Sequence, residues 1–333
     1  MRIVTYNVEW FNTLFDDQGR LINDDTWSSR WNVTKRQQTA ALGVVFTALD
    51  ADAIMVIEAP DTNRHRSTIT ALSQFAAAFG LRARAVLTGF ANDTQQEIAL
   101  LFDPDVMQAA HDPRSAPDAP AFDGKYRFDL DADAMLETIR WSKPPLEVAV
   151  TTADGPLRLI GVHAKSKAPH GAKDSAAAVR IAIENRRKQL AQCVWLRRRV
   201  DQHLAAGDDL IVLGDFNDGP GLDEYEKLFG RSGVEVVLGE DGPLALYDPH
   251  ARMALGRRVG AMPTTARFQR KDQPYLQALL DYVMVSPGLR ARSPVWEIWH
   301  PFDHLQCYHN DTLRDALLLA SDHFPVVLDL PAN

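Results

Sequence analysis

Short runs of apolar residues, each ending in polar side chains, recur along the whole chain. Six of these runs are rich in β-branched residues. They cover residues 2–6, 53–57, 157–162, 210–213, 282–285 and 324–330. Continuous apolar runs of this length are typical of strands that are buried on both faces. The pattern therefore predicts β-sheets that are covered by further layers of structure.

Helical patterns lie between these runs. Residues 34–49 and 67–79 carry apolar side chains at the spacing of an amphipathic helix, and the strongest such pattern covers residues 174–206. Gly207 follows at a position where helix C-termini favour glycine. Because strands alternate with helices, we expect α/β layers.

The composition is that of a globular protein. Of the 333 residues, 46% are hydrophobic and 24% are charged, which excludes a mainly disordered chain. Two stretches rich in Pro, Asp, Arg and Gly, residues 108–126 and 250–275, are expected to be long loops. There is no tandem repeat, low-complexity tract or Ser/Gly linker, so we expect one catalytic domain over residues 1–333.

Charge and cysteine usage limit the class of protein further. Acidic residues outnumber basic ones by 44 to 36, whereas a protein with non-specific DNA affinity is usually basic. A polyanionic substrate would need a bound cation or a local basic patch to attract it. Cys193 and Cys307 have no paired spacing, the N-terminus lacks a signal-peptide pattern, and no apolar run approaches the ~20 residues of a membrane span. We therefore expect a cytoplasmic enzyme without a membrane span.

A carboxylate, amide or imidazole stands at one end of each predicted strand. These residues are Asn7, Glu9, Glu58, His163, Asp215, Asn217, Asp281, Asp322 and His323. Strand ends commonly share one edge of a sheet, where α/β folds place their functional sites. Oxygen donors dominate the set, which suits Mg²⁺ or Mn²⁺ better than zinc, and the histidines are candidate acid–base groups. A single aspartate after a strand is more often a turn residue, but so many coincidences are hard to explain by packing.

The same residues fall within six short motifs. The motifs are Thr5-Tyr6-Asn7-Val8, Ile57-Glu58, Val162-His163-Ala164-Lys165-Ser166-Lys167, Gly214-Asp215-Phe216-Asn217-Asp218, Leu280-Asp281-Tyr282 and Ser321-Asp322-His323. Together they resemble the endonuclease/exonuclease/phosphatase superfamily, which includes DNase I, and the resemblance covers nearly the whole chain. It implies a DNase I-like α/β fold, a four-layer sandwich in which helices flank two central mixed β-sheets. It also implies divalent-metal-dependent hydrolysis of phosphate esters.

The resemblance implies a metal site around Glu58, with Asn7 and Asp322 completing the ligands of Mg²⁺ or Mn²⁺. The first motif continues to Glu9, as in a bacterial branch of the superfamily, but the next residue interrupts the signature of that branch. Glu9 is therefore either a further ligand or a surface residue at the strand end. A second departure is Ile57, because the superfamily usually has a glutamine there. Its absence is expected to remove a hydrogen bond near the metal ligand.

The resemblance also implies catalytic roles. Asp215 would orient or deprotonate the attacking water, and Asn217 would hold a non-bridging phosphate oxygen. His323, paired with Asp281, would contact the scissile phosphate or share the role of base, and His163 would lie on the leaving-group side. Phosphodiester hydrolysis needs an oriented water, neutralisation of oxygens that gain charge, and help for the leaving alkoxide. A cation, a carboxylate and a His–Asp pair can supply these functions.

The densest basic stretch begins directly after His163. Lys165 and Lys167 are expected to bind a substrate phosphate because they follow this histidine so closely. The later basic residues 186–188 are expected to lie on a solvated helix face.

Two further sets of residues are expected to be outside the catalytic chemistry. Residues 300–309 contain three histidines and Cys307, but their spacing matches no standard zinc pattern, which favours a substrate-facing loop over a metal site. Trp195, Trp296 and Trp299 are expected to pack in the core or in loops rather than to stack on bases.

These features favour a metal-dependent phosphoric ester hydrolase, and among these a nuclease-like phosphodiesterase. One alternative on the same site is a phosphomonoesterase or a hydrolase of phospholipids or inositol phosphates, and a more remote one is a non-catalytic binding module. The acidic charge favours small or single-stranded substrates over bulk duplex DNA. The residues that choose among substrates are expected in loops over 108–140 and 250–278.

Overall fold

The computed structural model describes residues 1–92, 94, 96–128, 137–169, 171–221, 226–256, 262–270 and 273–332. Its strands are β1 (Arg2–Asn7), β2 (Ala53–Pro60), β3 (Ala85–Thr88), β4 (Gln96–Phe102), β5 (Met107–His111), β6 (Tyr126–Phe128), β7 (Glu137–Ile139), β8 (Leu146–Thr152), β9 (Gly155–His163), β10 (Leu210–Asp215), β11 (Ala266–Arg270), β12 (Gln273–Ala278), β13 (Asp281–Val285), β14 (Val295–Ile298) and β15 (Val326–Asp329). Its helices are α1 (Lys35–Leu49), α2 (Thr68–Ala78), α3 (Ser175–Ala205), α4 (Glu226–Phe229), α5 (Gly233–Leu238), α6 (Pro249–Leu255), α7 (Pro287–Ala291), α8 (Leu305–His309) and α9 (Asp311–Ala320). A short 3-10 helix covers Phe11–Leu14.

The first large sheet has six strands in the order β14-β15-β1-β2-β4-β3. Its central strands β1 and β2 run parallel, with Asn7 beside Ile57, and all other neighbouring strands are antiparallel. The carboxyl ends of β1 and β2 therefore lie at the same edge as the amino end of β15.

The second large sheet repeats this arrangement with five strands in the order β13-β10-β9-β8-β5. Its central strands β9 and β10 are parallel, and their register places His163 beside Asp215. On its other side Asp215 pairs with Asp281, the first residue of the antiparallel strand β13. Three of the predicted site residues thus lie side by side at one edge.

The two sheets face each other across an apolar layer, and helices cover their outer faces. Met55 and Ile57 of β2 point into the layer between the sheets, together with Leu159 of β9. The alternate residues Ile54 and Val56 pack under α1, α2 and α9. The outer face of the second sheet packs against α3, α5 and α6. These four layers confirm the DNase I-like α/β sandwich.

The helices predicted from apolar spacing are present with nearly the expected bounds. Helix α1 begins with a capping box in which Thr34 and Gln37 satisfy each other's backbone amides, and Asp174 caps α3 through the amide of Ala177. Gly207, with a φ of 74°, follows the end of α3. The capped helix α9 was not among the predicted helices, although its apolar stripe packs against α1.

The expectation of long loops over 108–126 and 250–275 was wrong in part. Strand β5 occupies the start of the first stretch, and α6 and β11 occupy much of the second. Strands β5 and β11 expose alternate or terminal residues and so lack the continuous apolar run that marks the central strands. Residues 257–261 and 271–272 of the second stretch lie outside the described residues.

The described residues contain neither a disulfide nor a membrane span. Cys193 and Cys307 are both buried as free thiols. No helix in these ranges is at once long enough and apolar enough to cross a membrane.

Gly214 allows β10 to lie unusually close to β9 immediately before Asp215. Its φ is 138°, and a Cβ atom at this position would overlap the carbonyl oxygen of Val162. Glycine is therefore required both by the backbone conformation and by the neighbouring strand.

We expect Gly214→Ala to lower the free energy of unfolding by at least ~2 kcal/mol, because strain and overlap with backbone act together. Gly207→Ala is the matched control, since Gly207 has a φ of 74° but no atom lies within 4 Å of the position that its Cβ would take. That change should cost about 1 kcal/mol, the conformational penalty alone. Urea unfolding of both variants measures the difference. Equal losses would show that the contact with Val162 does not restrict this position.

Candidate active site

The ends of six strands bring the predicted site residues to one edge that both sheets share. Asn7 ends β1, Glu58 lies near the end of β2, His163 ends β9, Asp215 ends β10, Asp281 begins β13, and Asp322 and His323 come shortly before β15. The side chains of Glu9, Glu58, Asn217 and Asp322 are partly accessible, whereas the others are buried. These residues come from opposite ends of the chain and from its middle, so the register of the sheets brings them together.

Asp215 lies at the centre of this arrangement. Asn7 Nδ2 donates to Asp215 Oδ2 across 3.0 Å, and the backbone N–H of Asn217 donates to Oδ1 across 2.7 Å. The side-chain amide of Asn217 donates to Asp215 Oδ2 and to the carbonyl of Ala164, so both of its hydrogens have protein acceptors. Burial, followed by the charge of Asp281, raises the pKa of Asp215 to about 7. Asn217 therefore positions Asp215, and its predicted contact with a phosphate oxygen would have to replace one of these bonds.

His323 and Asp281 form a buried pair. The Nδ1 atom of His323 lies 2.7 Å from Asp281 Oδ2. Burial alone would lower the pKa of His323, but the charge and hydrogen bond of Asp281, with smaller contributions from Asp215 and Asp322, raise it well above its usual value. Asp281 thus favours the protonated form of His323, in which Nδ1 donates to Asp281 and Nε2 is left as a donor for another group.

The pKa of His163 is shifted in the opposite direction. Its Nε2 lies 3.8 Å from Glu58 Oε1 and 3.7 Å from Asp215 Oδ2. Burial, and then the positive charges of Lys143 and His323, lower its pKa well below the usual value. The pKa values of the two imidazoles are therefore shifted in opposite directions, and both rings lie close to the Asp215 carboxylate.

Lys143 is a site residue that the sequence analysis missed. Its Nζ lies 3.2 Å from His163 Nδ1 and donates to Gln96 Oε1, and burial lowers its pKa despite the opposing charges of Glu58 and Asp215. It precedes β8 in a segment without any recognisable motif. No sequence signal could have identified it, because only the fold brings this lysine beside His163.

Glu58 is turned into the site by a distortion of β2. The pairing of β2 with β4 shifts register between Ile57 and Ala59, and Glu58 has a φ of 62° in the left-handed region. Such a conformation is costly for glutamate and is characteristic of functional sites. Gln96 of β4 donates to Glu58 Oε2. Ile57 itself has no side-chain hydrogen bond to give, and Gln96 supplies one to Glu58 from the neighbouring strand.

The donor set fits a divalent cation. Asn7 Oδ1 is buried and accepts no hydrogen bond. The carboxylate of Asp322 makes no hydrogen bond to any of the described residues. Burial raises the pKa of Glu58 to about 7. The positive charges of Lys143 and His323 oppose this rise, whereas the negative charges of Asp322 and Asp215 add to it. An unsatisfied buried oxygen among crowded carboxylates is the environment that a hard cation stabilises.

A different trio comes closest in space. Among the described residues, Asp215, Asp281 and His323 form the group of acidic and histidine side chains whose potential ligand atoms all lie within 4.8 Å of one another. In this trio Nδ1 of His323 already lies 2.7 Å from Asp281 Oδ2, so this ring nitrogen is occupied by a hydrogen bond. Asn7, Glu58 and Asp322 are the other residues at this edge whose oxygen atoms could hold a cation.

Glu9 is neither a free ligand nor an exposed strand end. It forms an ion pair with Arg30, whose side chain is buried and whose other amine donates to the carbonyl of Leu318. Its backbone N–H donates to Ser321 Oγ, and burial, followed by the charge of Asp322, raises its pKa to about 7. Glu9 thus lies beside the catalytic edge with its charge already paired.

The basic residues after His163 have separate environments. Lys165 is half-buried at the rim of a cleft, where a phosphate can reach it. Lys167 instead forms an ion pair with the buried Asp218, and Arg186 contacts the same carboxylate. The expectation that Arg186 is solvated was wrong, because the buried charge of Asp218 requires a buried partner.

The segment 300–309 contributes a short helix rather than a continuous loop. His304 caps α8 through the amide of Cys307, and His300 Nδ1 accepts from the backbone amides of Phe302 and Asp303. Among the described residues the only candidate metal cluster lies elsewhere, at the catalytic edge.

The tryptophans divide into two groups. Trp195 and Trp299 are buried in the cores, and Trp296 packs against the layer between the sheets, as expected. Trp27 and Trp31 are instead exposed. The sequence analysis did not single them out, because isolated tryptophans in an irregular segment have no periodic pattern.

The fold is a two-sheet α/β sandwich whose shared edge carries carboxylates, amides and two imidazoles. Residues 4–323 match the model of the Endonuclease/Exonuclease/phosphatase family, so the chain belongs to this family of phosphoester hydrolases. A comparison with curated proteins gives no match.

Solved structures with the same fold cover almost the entire chain. TDP2 of D. rerio, complexed with a single-strand DNA product, is 13% identical, with coverage of 99% of this chain and 98% of that one and a TM-score of 0.51. Truncated TDP2 of Caenorhabditis elegans is 12% identical, with coverages of 99% and 97% and a TM-score of 0.52. The 3′ phosphatase NExo from Neisseria, bound to a product DNA hairpin, is 15% identical, with coverages of 99% and 99% and a TM-score of 0.50. At these identities the likeness shows the fold alone.

We expect Asp281→Asn to lower the pKa of His323, because the charge of Asp281 is the largest interaction that raises it. NMR titration of the imidazole in the cation-free protein measures this change. Asp303→Asn is the control, since it removes the exposed partner of His300 and should leave His323 unaffected. An unchanged pKa in Asp281→Asn would mean that another carboxylate holds the proton on His323.

Proposed function

We propose that the chain is a divalent-cation-dependent phosphodiesterase of the nuclease type. The observation that carries this proposal is the placement of two imidazoles, His163 and the Asp281-paired His323, beside the buried carboxylate of Asp215. Burial and the charge of Lys143 lower the pKa of His163, whereas Asp281 raises the pKa of His323. When water attacks a phosphate ester, the reaction needs a carboxylate base, a cationic donor and a neutral imidazole.

Each group has a distinct role in this reaction. Asp215, fixed by Asn7 and Asn217, orients the attacking water and accepts its proton. The Nε2–H of His323 neutralises a phosphate oxygen that gains charge, while Asp281 fixes the orientation of the ring.

The leaving oxygen faces the other side of the site. His163 lies there with the ammonium of Lys143 beside it, and Lys165 contacts a phosphate further along the substrate. A bound Mg²⁺ or Mn²⁺ ion, held by Glu58, Asn7 Oδ1 and Asp322, would neutralise phosphate oxygens and lower the pKa of water.

Two clefts favour a diester over a monoester. The aromatic cleft is lined by Glu9, Trp27, Trp31, Arg267, Tyr275 and Asp322. The lysine cleft is lined by Arg140, Trp141, Lys165 and Lys188. Each has a volume of about 650 Å³, one beside Asp322 and the other beside Lys165. A substrate with groups on both sides of the scissile phosphate would use both clefts, whereas a monoester would fill only one.

The substrate class is nucleic acid in this proposal. Two relatives of the same fold, TDP2 of D. rerio and NExo from Neisseria, are described with DNA products. The chain itself supplies lysine and arginine at the cleft rims in spite of a net charge of −8. Localised cations can attract a phosphate chain that the overall charge of the protein repels.

A panel of substrates tests the proposal. With Mg²⁺ or Mn²⁺ we expect hydrolysis of bis(4-nitrophenyl) phosphate and of single-stranded DNA, and slower hydrolysis of 4-nitrophenyl phosphate, inositol phosphates and duplex DNA. Treatment with EDTA should abolish activity, and added cation should restore it. Full turnover in EDTA, with no metal found by elemental analysis, would contradict the cation requirement. Faster hydrolysis of the monoester would favour a phosphomonoesterase.

We expect Glu58→Gln to weaken cation binding and to lower the rate by about 100-fold, because the amide keeps the size but removes the charge. Isothermal titration calorimetry with Mn²⁺ measures binding without relying on activity. Glu240→Gln changes an exposed carboxylate away from the site and serves as the control. Unchanged binding in Glu58→Gln would place the cation elsewhere on the catalytic edge.

The two histidines should respond differently to the leaving group. His323→Ala should lower kcat by about 10²- to 10⁴-fold on every substrate, since the phosphate loses a positioned donor. His163→Ala should affect DNA more than an aryl ester, because an activated aryl leaving group needs little stabilisation. The exposed His65→Ala is the control, and thermal unfolding checks that each variant is folded. Equal slowing of both substrates by His163→Ala would contradict its role at the leaving group.

A further inference from the structure

The aromatic cleft contains side chains that the hydrolytic mechanism does not use. Its lining includes Glu9 and Asp322, which directly precedes His323 in the chain, and the exposed rings of Trp27, Trp31 and Tyr275, which we call its outer end. Phe268, also in its lining, packs edge-on against the ring of His323. The cleft is thus continuous with the position of the scissile phosphate.

The aromatic rings at its outer end are left in water. Trp27 is 65% exposed, Trp31 is 74% exposed and Tyr275 is 44% exposed. The indole of Trp27 is held in place by a hydrogen bond from its Nε1 to the carbonyl of Arg30. Grouped exposed aromatic surface beside a catalytic site is characteristic of a binding surface.

The turn that carries Trp31 is conformationally strained. Ser29 and Asn32 have φ values of 76° and 55°, both in the left-handed region that favours glycine. The nearby Arg30 is anchored by Glu9 and by the carbonyl of Leu318. The turn therefore holds Trp31 in a fixed position outside the core, where it has no packing role.

Arg267 supplies a positive charge inside the cleft. Its guanidinium stacks on the ring of Tyr275, with the central guanidinium carbon 3.6 Å from the centre of that ring. The same carbon lies 5.5 Å from the centre of the Phe302 ring. Its backbone N–H donates to the carbonyl of Asp322 across 2.7 Å, which fixes it to the catalytic edge. No described carboxylate forms an ion pair with Arg267, so its charge is available to a ligand.

This combination matches an unpaired nucleotide. A nucleobase presents a flat π-face to exposed rings, and stacking of this kind does not depend on base identity. The phosphate beside that base is the anion that a free, stacked arginine binds. A lipid chain would require an apolar channel, whereas this cleft ends in Glu9, Arg30 and Asp322. A duplex would keep its bases inside the helix and leave the rings unused.

We propose that the aromatic cleft binds the unpaired nucleotide next to the scissile phosphate, with its base on Trp31 or Trp27 and its phosphate on Arg267, which makes single-stranded nucleic acid the substrate class. This rests on the proposed phosphodiesterase function. It assigns the leaving group to the His163 side and the retained nucleoside to the side of Asp322.

Two substrates with the same leaving group isolate the cleft. Thymidine 5′-(4-nitrophenyl phosphate) and methyl 4-nitrophenyl phosphate both release 4-nitrophenolate, but only the first has a base for the cleft. We expect Trp31→Ala to lower the ratio of their kcat/KM values by about ten-fold, mainly through KM, and Trp31→Phe to retain most of it. Tyr308→Ala, which removes an exposed ring outside the cleft, is the control that should leave the ratio unchanged.

A binding measurement separates this inference from the proposed function. Fluorescence anisotropy of labelled oligo(dT) in EDTA should give a Kd about ten-fold weaker for Trp31→Ala and Arg267→Ala than for the unsubstituted chain. If binding responds in this way but neither ester is hydrolysed, the cleft assignment stands and the phosphodiesterase proposal fails. If both esters are hydrolysed and neither the ratio nor the Kd changes, the cleft assignment is overturned. Tighter binding of duplex DNA, or binding of phosphatidylglycerol vesicles but not of oligo(dT), would also overturn it.

Discussion

The hydrogen bond from Asn7 to Asp215 joins the two sheets at the edge on which the whole site depends. Each residue ends a central strand of its own sheet, so this 3.0 Å contact sets the position of one parallel pair against the other. The layer between the sheets must be thin for the contact to form. Gly161 of β9 meets this requirement, because a Cβ atom there would overlap the sulfur of Met55 on β2. The geometry of the site is thus a consequence of how closely the sheets pack.

The same closeness creates an electrostatic problem. Burial raises the pKa values of both Glu58 and Asp215 to about 7, and the opposing charges, Lys143 and His323 at Glu58 and His323 at Asp215, do not cancel this rise. Removal of water makes each unbalanced charge costly, and it strengthens the interaction with any cation or phosphate that the site can attract. The carboxylates therefore favour the binding of positive charge, and the different neighbours of the two imidazoles shift their pKa values in opposite directions. His163 faces a lysine, whereas His323 faces Asp281.

The parts of this arrangement that sequence could predict are those that lie on central strands. Apolar runs that end in Asn7, Glu58 or Asp215 carry both the strand and the chemistry in adjacent residues, so the edge and its ligands follow from one pattern. Lys143 and Gln96 could not be found in this way, because each reaches the site from a segment whose own sequence has no such pattern. The burial of single charged residues could not be predicted from the sequence either. The helical pattern around Arg186 predicts a surface position, and only its long-range partner Asp218 explains why it is buried. Hydrophobic periodicity indicates which residues contact a core, and it gives no information about ion pairs. It is also weak in an edge strand such as β5, which contacts the core on one side only.

Chemistry and substrate choice consequently depend on different parts of the chain. The groups proposed to act in catalysis lie at the ends of strands in two packed sheets, so a change there would alter the proposed reaction itself. The clefts on either side are built from the turn around Trp31, the hairpin of β11 and β12 that carries Arg267 and Tyr275, and the segment before β8. In these segments Trp141 packs in the core of the second sheet and Phe268 packs against His323, so only the exposed side chains can change without disturbing the site. A family that shares one reaction can therefore differ widely in substrate, and in this chain the exposed rings and the free arginine of the aromatic cleft are the features on which that choice depends.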